Sequence, residues 1–217
     1  MRLEEAKRDY YRRLAKEEGY RSRAAYKLLE INRSFHIFSK GDKVLDIGCY
    51  PGGWLQVASR AVGSDGLVIG VDVKEMGSRG KDGEFGANVR FLCMSVEDDT
   101  LAVMVKDLLR DEDVDVVLSD VSPNLSGIWS LDHARQIYLS RRVLDVAKAL
   151  LKQDGSAVLK VFEGDMLKDF IDEVRIHFKR VYIHKPKASR KESSELYLVC
   201  KGFKSKERMD RVMMNKL

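Results

Sequence analysis

An apolar run leads directly into a glycine-rich turn in Lys43-Val-Leu-Asp-Ile-Gly48-Cys-Tyr-Pro51-Gly52-Gly53-Trp54. Residues 43–47 have the length and apolar content of a buried strand, and residues 52–62 have the spacing of a helix. A strand that passes through glycines into a helix is typical of the first unit of an α/β fold, in which the turn approaches a ligand. This stretch therefore predicts a parallel sheet with helices on both faces.

The rest of the chain repeats this alternation of apolar strands and amphipathic helices. The last two strands are separated only by residues 185–194, which is short for a helical crossover and predicts an antiparallel pair. The predicted fold is α/β and Rossmann-like, with a sheet of about seven strands that is mostly parallel and ends in an antiparallel strand. The further strands are predicted at 67–71, 89–92, 114–118, 156–162, 181–183 and 195–199, and the helices at 4–16, 22–31 (with Ser22 as its N-cap), 98–110, 131–151 and 166–178.

The glycine-rich turn also restricts the cofactor. Tyr50 stands where a dinucleotide-binding turn has its second glycine, which disfavours NAD and FAD because that glycine lets the backbone approach a pyrophosphate. A nucleoside cofactor without phosphates fits better, and S-adenosylmethionine is the common one, so we predict a class I methyltransferase. Asp72 can accept the hydroxyls of an adenosine ribose or serve as a turn residue. Asp46 can contact the cofactor or support the loop, and Trp54 can line the pocket or pack on the sheet.

The charge of the chain is unevenly distributed. The 217 residues carry a net charge of +5 and fit one domain, with basic N-terminal helices (1–34), a catalytic core (40–202) and a basic tail (203–217). Residues 1–27 contain nine Lys and Arg against five Asp and Glu, and residues 179–217 contain twelve against four. Basic ends around an acidic body suggest a surface for a polyanion, although solvated helix faces have the same composition.

Several other classes of protein are disfavoured. Residues 1–19 are dense in charge, and no apolar run reaches the roughly 20 residues of a membrane helix. Cys49, Cys93 and Cys200 are too scattered for a disulfide framework or a tetrahedral zinc site. We therefore expect a cytoplasmic protein that contacts no membrane and needs no metal.

Lys160 interrupts an otherwise apolar run, Ser156-Ala-Val-Leu-Lys-Val-Phe162, that is predicted to be a central strand. A buried lysine is costly unless it is paired or neutral, and a lysine without a function belongs on an edge strand. Asp120 ends the preceding strand, and neighbouring strands lie only about 4.8 Å apart. We therefore predict a functional Lys160–Asp120 pair, although Asp120 could also simply begin a loop.

Five stretches of the chain carry a family resemblance. Together they resemble the FtsJ-type RNA ribose 2′-O-methyltransferases over nearly the whole length of the chain. The stretches are Tyr20-Arg-Ser-Arg-Ala-Ala-Tyr-Lys27-Leu, Asp46 to Trp54, Leu118-Ser-Asp-Val-Ser-Pro-Asn124 with Ser126-Gly127, Leu159-Lys-Val-Phe-Glu-Gly164, and Lys185-Pro-Lys-Ala-Ser-Arg190 with Ser194-Glu195-Leu-Tyr.

This resemblance implies the residues of a catalytic site. The family commonly has an acidic residue near the adenine amino group where this chain has Ser95, and Glu97 or Asp98 could substitute. The implied target is a uridine ribose in large-subunit (23S) ribosomal RNA, with a tRNA anticodon-loop ribose as the alternative. The implied catalytic tetrad is Lys27, Asp120, Lys160 and Glu195, and the expected cofactor contacts are Gly48, Pro51, Gly53, Trp54, Asp72, Ser95 and Asp120.

The predicted reaction is an in-line methyl transfer to a ribose oxygen. A desolvated lysine can act as the general base, and we assign this role to Lys160. Lys27 is expected to steady the developing alkoxide, because a second cation nearby favours negative charge on oxygen. Asp120 and Glu195 are expected to orient the two lysines.

Two basic clusters each lead into a tetrad residue, which fits phosphate binding along an RNA strand. The expected partner is ribosomal RNA or the large ribosomal subunit, bound by a monomer. The first cluster, before Lys27, is Arg12, Arg13, Arg21 and Arg23, and the second, before Glu195, is Lys185, Lys187, Arg190 and Lys191.

Two other functions are less compatible with the sequence. An amino-group methyltransferase would need Asp-Pro-Pro or Asn-Pro-Pro followed by an aromatic residue to stack a flipped base, and Asp120-Val-Ser-Pro-Asn124 has neither the second proline nor the aromatic residue. A non-catalytic RNA-binding ribosome-assembly factor would not need a lysine in a central strand. The sequence therefore favours the enzyme.

Overall fold

Seven strands form one sheet in the structure, a computed structural model that describes residues 3–76, 85–190 and 193–204. In chain order they are β1 (Lys43–Ile47), β2 (Leu67–Asp72), β3 (Val89–Cys93), β4 (Val114–Ser119), β5 (Leu151–Phe162), β6 (Phe178–His184) and β7 (Glu195–Phe203). Their order in the sheet is β3-β2-β1-β4-β5-β7-β6. Strand β7 is antiparallel to both neighbours and the other pairs are parallel, which confirms the predicted α/β fold.

Helices cover both faces of this sheet. Adjacent strand residues point to opposite faces, so Val44 packs in the core under α2 and α3, whereas Leu45 packs in the core under α4, α5 and α6. Burial on both faces explains why the strands are almost continuously apolar. In the described part of the chain the helices are α1 (Leu3–Glu17), α2 (Ala25–Phe35), α3 (Gly53–Val62), α4 (Leu101–Leu108), α5 (Trp129–Leu150) and α6 (Leu167–His177).

The predicted start of the second helix was wrong. Ser22 is not its N-cap, because α2 begins at Ala25 with Ala24 in the capping position. The backbone N–H of Ala25 donates to the carbonyl of Ser22 at 3.2 Å, and Tyr26 makes the equivalent bond to Arg23. Residues 22–24 therefore form a tight turn that precedes the helix, and the Ser22 hydroxyl lies against Gly53 instead of capping α2.

The strand order places the expected ligand site. Strand β1 lies between β2 and β4, so the connections change direction at β1, and ligands of such sheets bind at the carboxyl ends beside this point. Strand β5 is interior, so Lys160 does not lie on an edge strand. The part of the chain that the structure describes contains no helix with the length and apolar content needed to cross a membrane.

Candidate active site

The four predicted tetrad residues meet at one edge of the sheet. Lys160 is near the carboxyl end of β5, and Asp120 directly follows β4. Glu195 begins β7, which runs antiparallel to β5, so its start lies at the same edge. Lys27, on the buried face of α2, completes the group.

Lys160 and Asp120 form the predicted pair. The Lys160 Nζ donates to the Asp120 backbone carbonyl at 2.5 Å and lies 3.3 Å from the Asp120 Oδ1. Lys160 is only 6% exposed, so these two oxygens satisfy two of its donors in a nearly dry environment.

Lys27 and Glu195 form a second buried ion pair. The Lys27 Nζ lies 2.5 Å from the Glu195 Oε1, and the Ser189 hydroxyl donates to the same oxygen at 3.0 Å. The Lys27 and Glu195 side chains are 9% and 13% exposed. Glu195 therefore holds the Lys27 ammonium in one place, which favours a fixed electrostatic role over that of a solvated surface lysine.

Tyr197 connects the two pairs, and the sequence prediction missed it. Its hydroxyl donates to the Asp120 Oδ1 at 2.8 Å and accepts from the Lys27 Nζ at 3.2 Å. Tyr197 is fully buried, and this burial raises the pKa of its phenol, so it stays a neutral donor. It is also the direct register partner of Lys160. Its alternation with Glu195 along β7 was the sequence signal that could have identified it.

The lysines control the ionisation of Asp120. Burial alone would raise the pKa of this carboxyl, but the charges of Lys160 and Lys27 and the hydrogen bond from Tyr197 outweigh burial and lower its pKa. Asp120 is therefore an ionised carboxylate at neutral pH. The cluster thus holds two basic and two acidic groups whose charges balance.

A cavity of about 380 Å³ lies beside this cluster, at the carboxyl ends of β1, β2 and β4. This size is in the usual range for small-molecule sites. Among the residues expected to contact a cofactor, Gly48, Asp72, Ser95 and Asp120 line it. Glu97 also lines it, whereas Asp98 accepts hydrogen bonds from Thr100 at the start of α4.

Backbone contacts fix the cavity wall. The Asp72 carboxylate accepts hydrogen bonds from the Tyr50 and Lys74 N–H groups, both at 2.9 Å, which orients it at the end of β2. Gly48 has a φ of +77°, and a Cβ there would lie 2.7 Å from the Val121 backbone. The turn therefore requires glycine at this position.

Asp46 is a fully buried carboxyl for which the described residues provide no hydrogen-bond partner. Burial, with the nearby charges of Asp120 and Asp72, raises its pKa well above the usual range. A buried polar group without a partner is rare in a complete site. Asp46 precedes Ile47 of the cavity wall but does not itself line the cavity, so it supports the turn from behind.

Three other expected cofactor contacts lie outside this cavity lining. Trp54 is 3% exposed, and its Nε1 donates to the Ala24 carbonyl at 2.8 Å. Gly53 packs against Ser22, and the Pro51 carbonyl accepts from the Arg21 Nε at 2.5 Å. These contacts attach the glycine-rich turn to the segment before α2, so the assignment of Pro51, Gly53 and Trp54 to the cofactor stays a prediction.

Several basic residues line two pockets next to the tetrad. One pocket is lined by Arg12, Arg21 and Arg23, and the other by Arg23 and Arg190 with Lys27 and Glu195. Arg23 belongs to both pockets, so they join into a basic surface that reaches the Lys27–Glu195 pair.

The remaining predicted basic residues are placed elsewhere. Arg13 pairs with Glu17 on the exposed face of α1. The Lys185 Nζ donates to the Ser193 carbonyl, and the Lys187 backbone N–H donates to Glu30. Lys191 and most of the predicted basic tail, residues 205–217, lie outside the described residues.

Solved structures with the same fold define the class of protein. A structure described as a ribosomal RNA methyltransferase of Plasmodium falciparum is 30% identical, with a TM-score of 0.74 over 85% of this chain and 98% of that chain. An S-adenosylmethionine-dependent O-methyltransferase of Thermotoga maritima shares the fold alone, at 16% identity and a TM-score of 0.55 over 82% of this chain and 65% of that one. The fold is therefore that of a Rossmann-like methyltransferase.

The sequence comparisons then identify the family. The family model described as FtsJ-like methyltransferase matches residues 20–203. A protein of Methanocaldococcus jannaschii named ribosomal RNA large subunit methyltransferase E is 45% identical over 93% of this chain and 81% of its own. A protein of the same name from Cenarchaeum symbiosum is 45% identical over 94% of this chain and 100% of its own. The chain belongs to the FtsJ-like methyltransferase family, which confirms the resemblance.

Proposed function

We propose that the protein transfers a methyl group from S-adenosylmethionine to the 2′-hydroxyl of a uridine ribose in large-subunit ribosomal RNA, acting as a cytoplasmic monomer. The observation that carries the proposal is the buried cluster of Lys160, Asp120, Lys27 and Glu195 beside the cavity. A pair of buried lysines held by carboxylates suits the deprotonation of a hydroxyl. The names of the related proteins support ribosomal RNA as the substrate class.

S-adenosylmethionine fits the residues around the cavity. Bound there, it would supply an electrophilic methyl group. Asp72 offers a carboxylate for ribose hydroxyls at the end of β2. We assign the adenine side to Ser95 and Glu97, which line the same wall.

Replacement of Gly48 by alanine tests this assignment. Gly48→Ala should weaken S-adenosylmethionine binding at least about tenfold. The added Cβ would displace Val121, which lines the cavity, and a displacement that costs the bound state only about 1.4 kcal/mol lowers the affinity by this factor. Gly41→Ala is the matched control: its φ of +82° is similar, but no described atom lies within 4 Å of the added Cβ. Titration calorimetry should give unchanged affinity for Gly41→Ala, and equal affinities for both variants would contradict the assignment.

The tetrad residues then have distinct tasks. Lys160, with two bonds donated to Asp120, accepts the proton of the ribose hydroxyl on its lone pair. Lys27, held by Glu195, stabilises the negative charge that develops on the ribose oxygen. Tyr197 keeps the Asp120 carboxylate oriented toward Lys160.

The basic surface around Arg23 and Arg190 would hold the phosphates next to the target nucleotide. Arg190→Ala should weaken RNA binding for all sequences alike and lower the slope of log affinity against log salt by about 0.7–0.9, the loss of one phosphate contact. Arg110→Ala is the control, because Arg110 precedes β4 and lies at the opposite edge of the sheet. A salt titration with equal slopes for wild type and Arg190→Ala would exclude this phosphate contact.

Transfer of a radioactive methyl group to different RNAs tests the substrate class. The purified protein is incubated with large ribosomal subunits, protein-free large-subunit RNA and tRNA, each lacking the modification. The proposal expects incorporation into one of the two ribosomal substrates and little into tRNA. Incorporation into tRNA alone would replace the proposal by the anticodon-loop alternative, and RNA binding without incorporation would favour an assembly factor.

A further inference from the structure

Three aromatic rings are stacked at the start of α5. The Trp129 ring lies 5.9 Å from the His133 ring with an angle of 23° between their planes, and 6.0 Å from the Phe162 ring with an angle of 26°. His133 and Phe162 are buried, but Trp129 is 50% exposed. An indole that is stacked on its neighbours and still half exposed has a flat surface available to a ligand.

The surrounding contacts hold this stack rigidly. The Met166 N–H donates to the His133 Nε2 at 3.1 Å. The His133 ring packs so closely on Gly164 that a Cβ there would lie within 2.8 Å of it. The Asp132 carboxylate accepts hydrogen bonds from Ser126 and Gly127, which ties the preceding loop to the helix. The platform is therefore preorganised, and a ligand would bind without the cost of ordering it.

The stack borders the catalytic cluster. Phe162 lies two residues beyond Lys160 and ends β5, about 7 Å further along the strand. The register partner of Phe162 is Glu195, a member of the tetrad. The Trp129 ring, stacked on Phe162, thus lies beside the end of β5 that carries the tetrad.

We propose that Trp129 is a stacking platform for an unpaired base of the RNA strand that carries the target ribose. The inference rests on the proposed function in taking RNA as the ligand. Proteins hold single-stranded RNA by stacking its bases on aromatic side chains, and basic residues alone hold only its phosphates. Two observations favour a flat base over a protein side chain: the rings are nearly parallel, and Phe162, on which Trp129 stacks, is the register partner of Glu195. The neighbouring Ile128, 60% exposed, would suit a protein partner, and the test includes that outcome.

The test uses a protein-free transcript that contains the target. Trp129→Ala should raise its Kd roughly 10- to 100-fold, the range for loss of one stacked base, and Trp129→Phe should recover most of that loss. Tyr138→Ala is the matched control, because Tyr138 is also 50% exposed on α5 but lies nine residues, about 13 Å, further along the helix. S-adenosylmethionine affinity is measured for every variant and should stay unchanged. Thermal stability is measured as well, and it should stay near that of wild type in Trp129→Phe and fall in Trp129→Ala, which loses the stacking on His133 and Phe162.

Fluorescence gives a second readout that does not depend on methylation. The chain has two tryptophans, and Trp54 is 3% exposed, so the difference between wild type and Trp129→Phe isolates the emission of Trp129. RNA should quench this emission, and abasic substitution at one nucleotide next to the target should remove the quenching. The proposal would be overturned if fully abasic RNA bound normally and still quenched the emission. It would also be overturned if the Trp129→Ala defect appeared only with assembled subunits, which would indicate a protein contact. If wild type binds RNA but methylates none, the proposed function fails while the quenching result still decides the platform.

Discussion

Lys160→Ala is expected to slow methyl transfer severely while the protein still binds S-adenosylmethionine. The loss in the rate of a single turnover should reach about 100- to 10,000-fold, the contribution of a positioned general base. Cofactor affinity should change little, because Lys160 is not among the residues that line the cavity. The fold should also persist, since Asp120 keeps its hydrogen bond from Tyr197.

Two further variants make the result specific. Lys160→Arg keeps the positive charge but cannot release a proton near neutral pH, so it should be almost as inactive as alanine. Lys168→Ala removes a lysine whose side chain is 84% exposed on α6, and it should behave as wild type. Substantial single-turnover activity in Lys160→Arg would show that charge at this position matters and proton transfer does not, which removes Lys160 as the base.

Asp120→Asn is expected to have the second largest effect. The variant keeps the backbone carbonyl that accepts from Lys160 but loses the negative charge that faces both lysines. We expect a loss of activity of about 100-fold, typical for removal of one preorganised electrostatic contact. The free energy of unfolding should fall by about 3 kcal/mol, at the low end for a broken buried pair because 21% of the Asp120 side chain is exposed.

The pH dependence of this stability difference has a definite sign. The pKa of Asp120 is lower in the folded protein than in the unfolded chain, so its contribution to stability is present above about pH 4 and is lost as the pH falls through the folded value. The difference in unfolding free energy between wild type and Asp120→Asn should therefore be constant near neutral pH and shrink in acid. Urea titrations at several pH values measure it, and a difference that grows in acid would contradict the account.

Asp172→Asn provides the control for this experiment. Hydrogen bonds from Arg175 and Lys168 also lower the pKa of Asp172, which lies on the exposed side of α6. Its replacement should show the same direction of pH dependence but leave methyl transfer intact. A parallel loss of activity in both variants would mean that general destabilisation, and not the charge of Asp120, explains the effect.

The fold could be predicted because its strands are buried on both faces. Such strands form continuous apolar runs, and the short loop before Glu195 showed that the last pair is antiparallel. Boundaries were less accurate where local turns compete with helix. At Ser22, the carbonyl accepts a hydrogen bond from the Ala25 N–H in a tight turn, and α2 begins only at Ala25.

The residues of the site were predictable to different degrees. Lys160 was visible from the sequence because a lysine in a central strand has no ordinary structural role. Lys27 and Glu195 came from the family resemblance, since each alone is typical of a helix surface or a strand start. Tyr197 was missed because a tyrosine among apolar residues is typical of a strand, and only the fold shows that its hydroxyl joins Asp120 to Lys27.

Trp129 shows a similar limit. The sequence placed the start of the long helix at residue 131, which left Trp129 in a loop without partners, whereas α5 begins at Trp129 itself. Its stacking with Phe162 depends on contacts between residues 33 positions apart in the chain, and local patterns carry no information about such contacts. The aromatic platform was therefore accessible only from the three-dimensional arrangement.

The chemical position of the transferred methyl group tests the central claim most directly. Large-subunit RNA that lacks the modification is incubated with the protein and S-adenosylmethionine, digested to nucleosides and analysed by mass spectrometry. The buried lysine cluster predicts a product methylated on the ribose, and the family resemblance predicts that it is 2′-O-methyluridine, which Lys160→Ala should form at least about 100-fold more slowly than wild type. A methyl group on a base nitrogen or carbon, or the same ribose product formed by Lys160→Ala at the wild-type rate, would contradict the account.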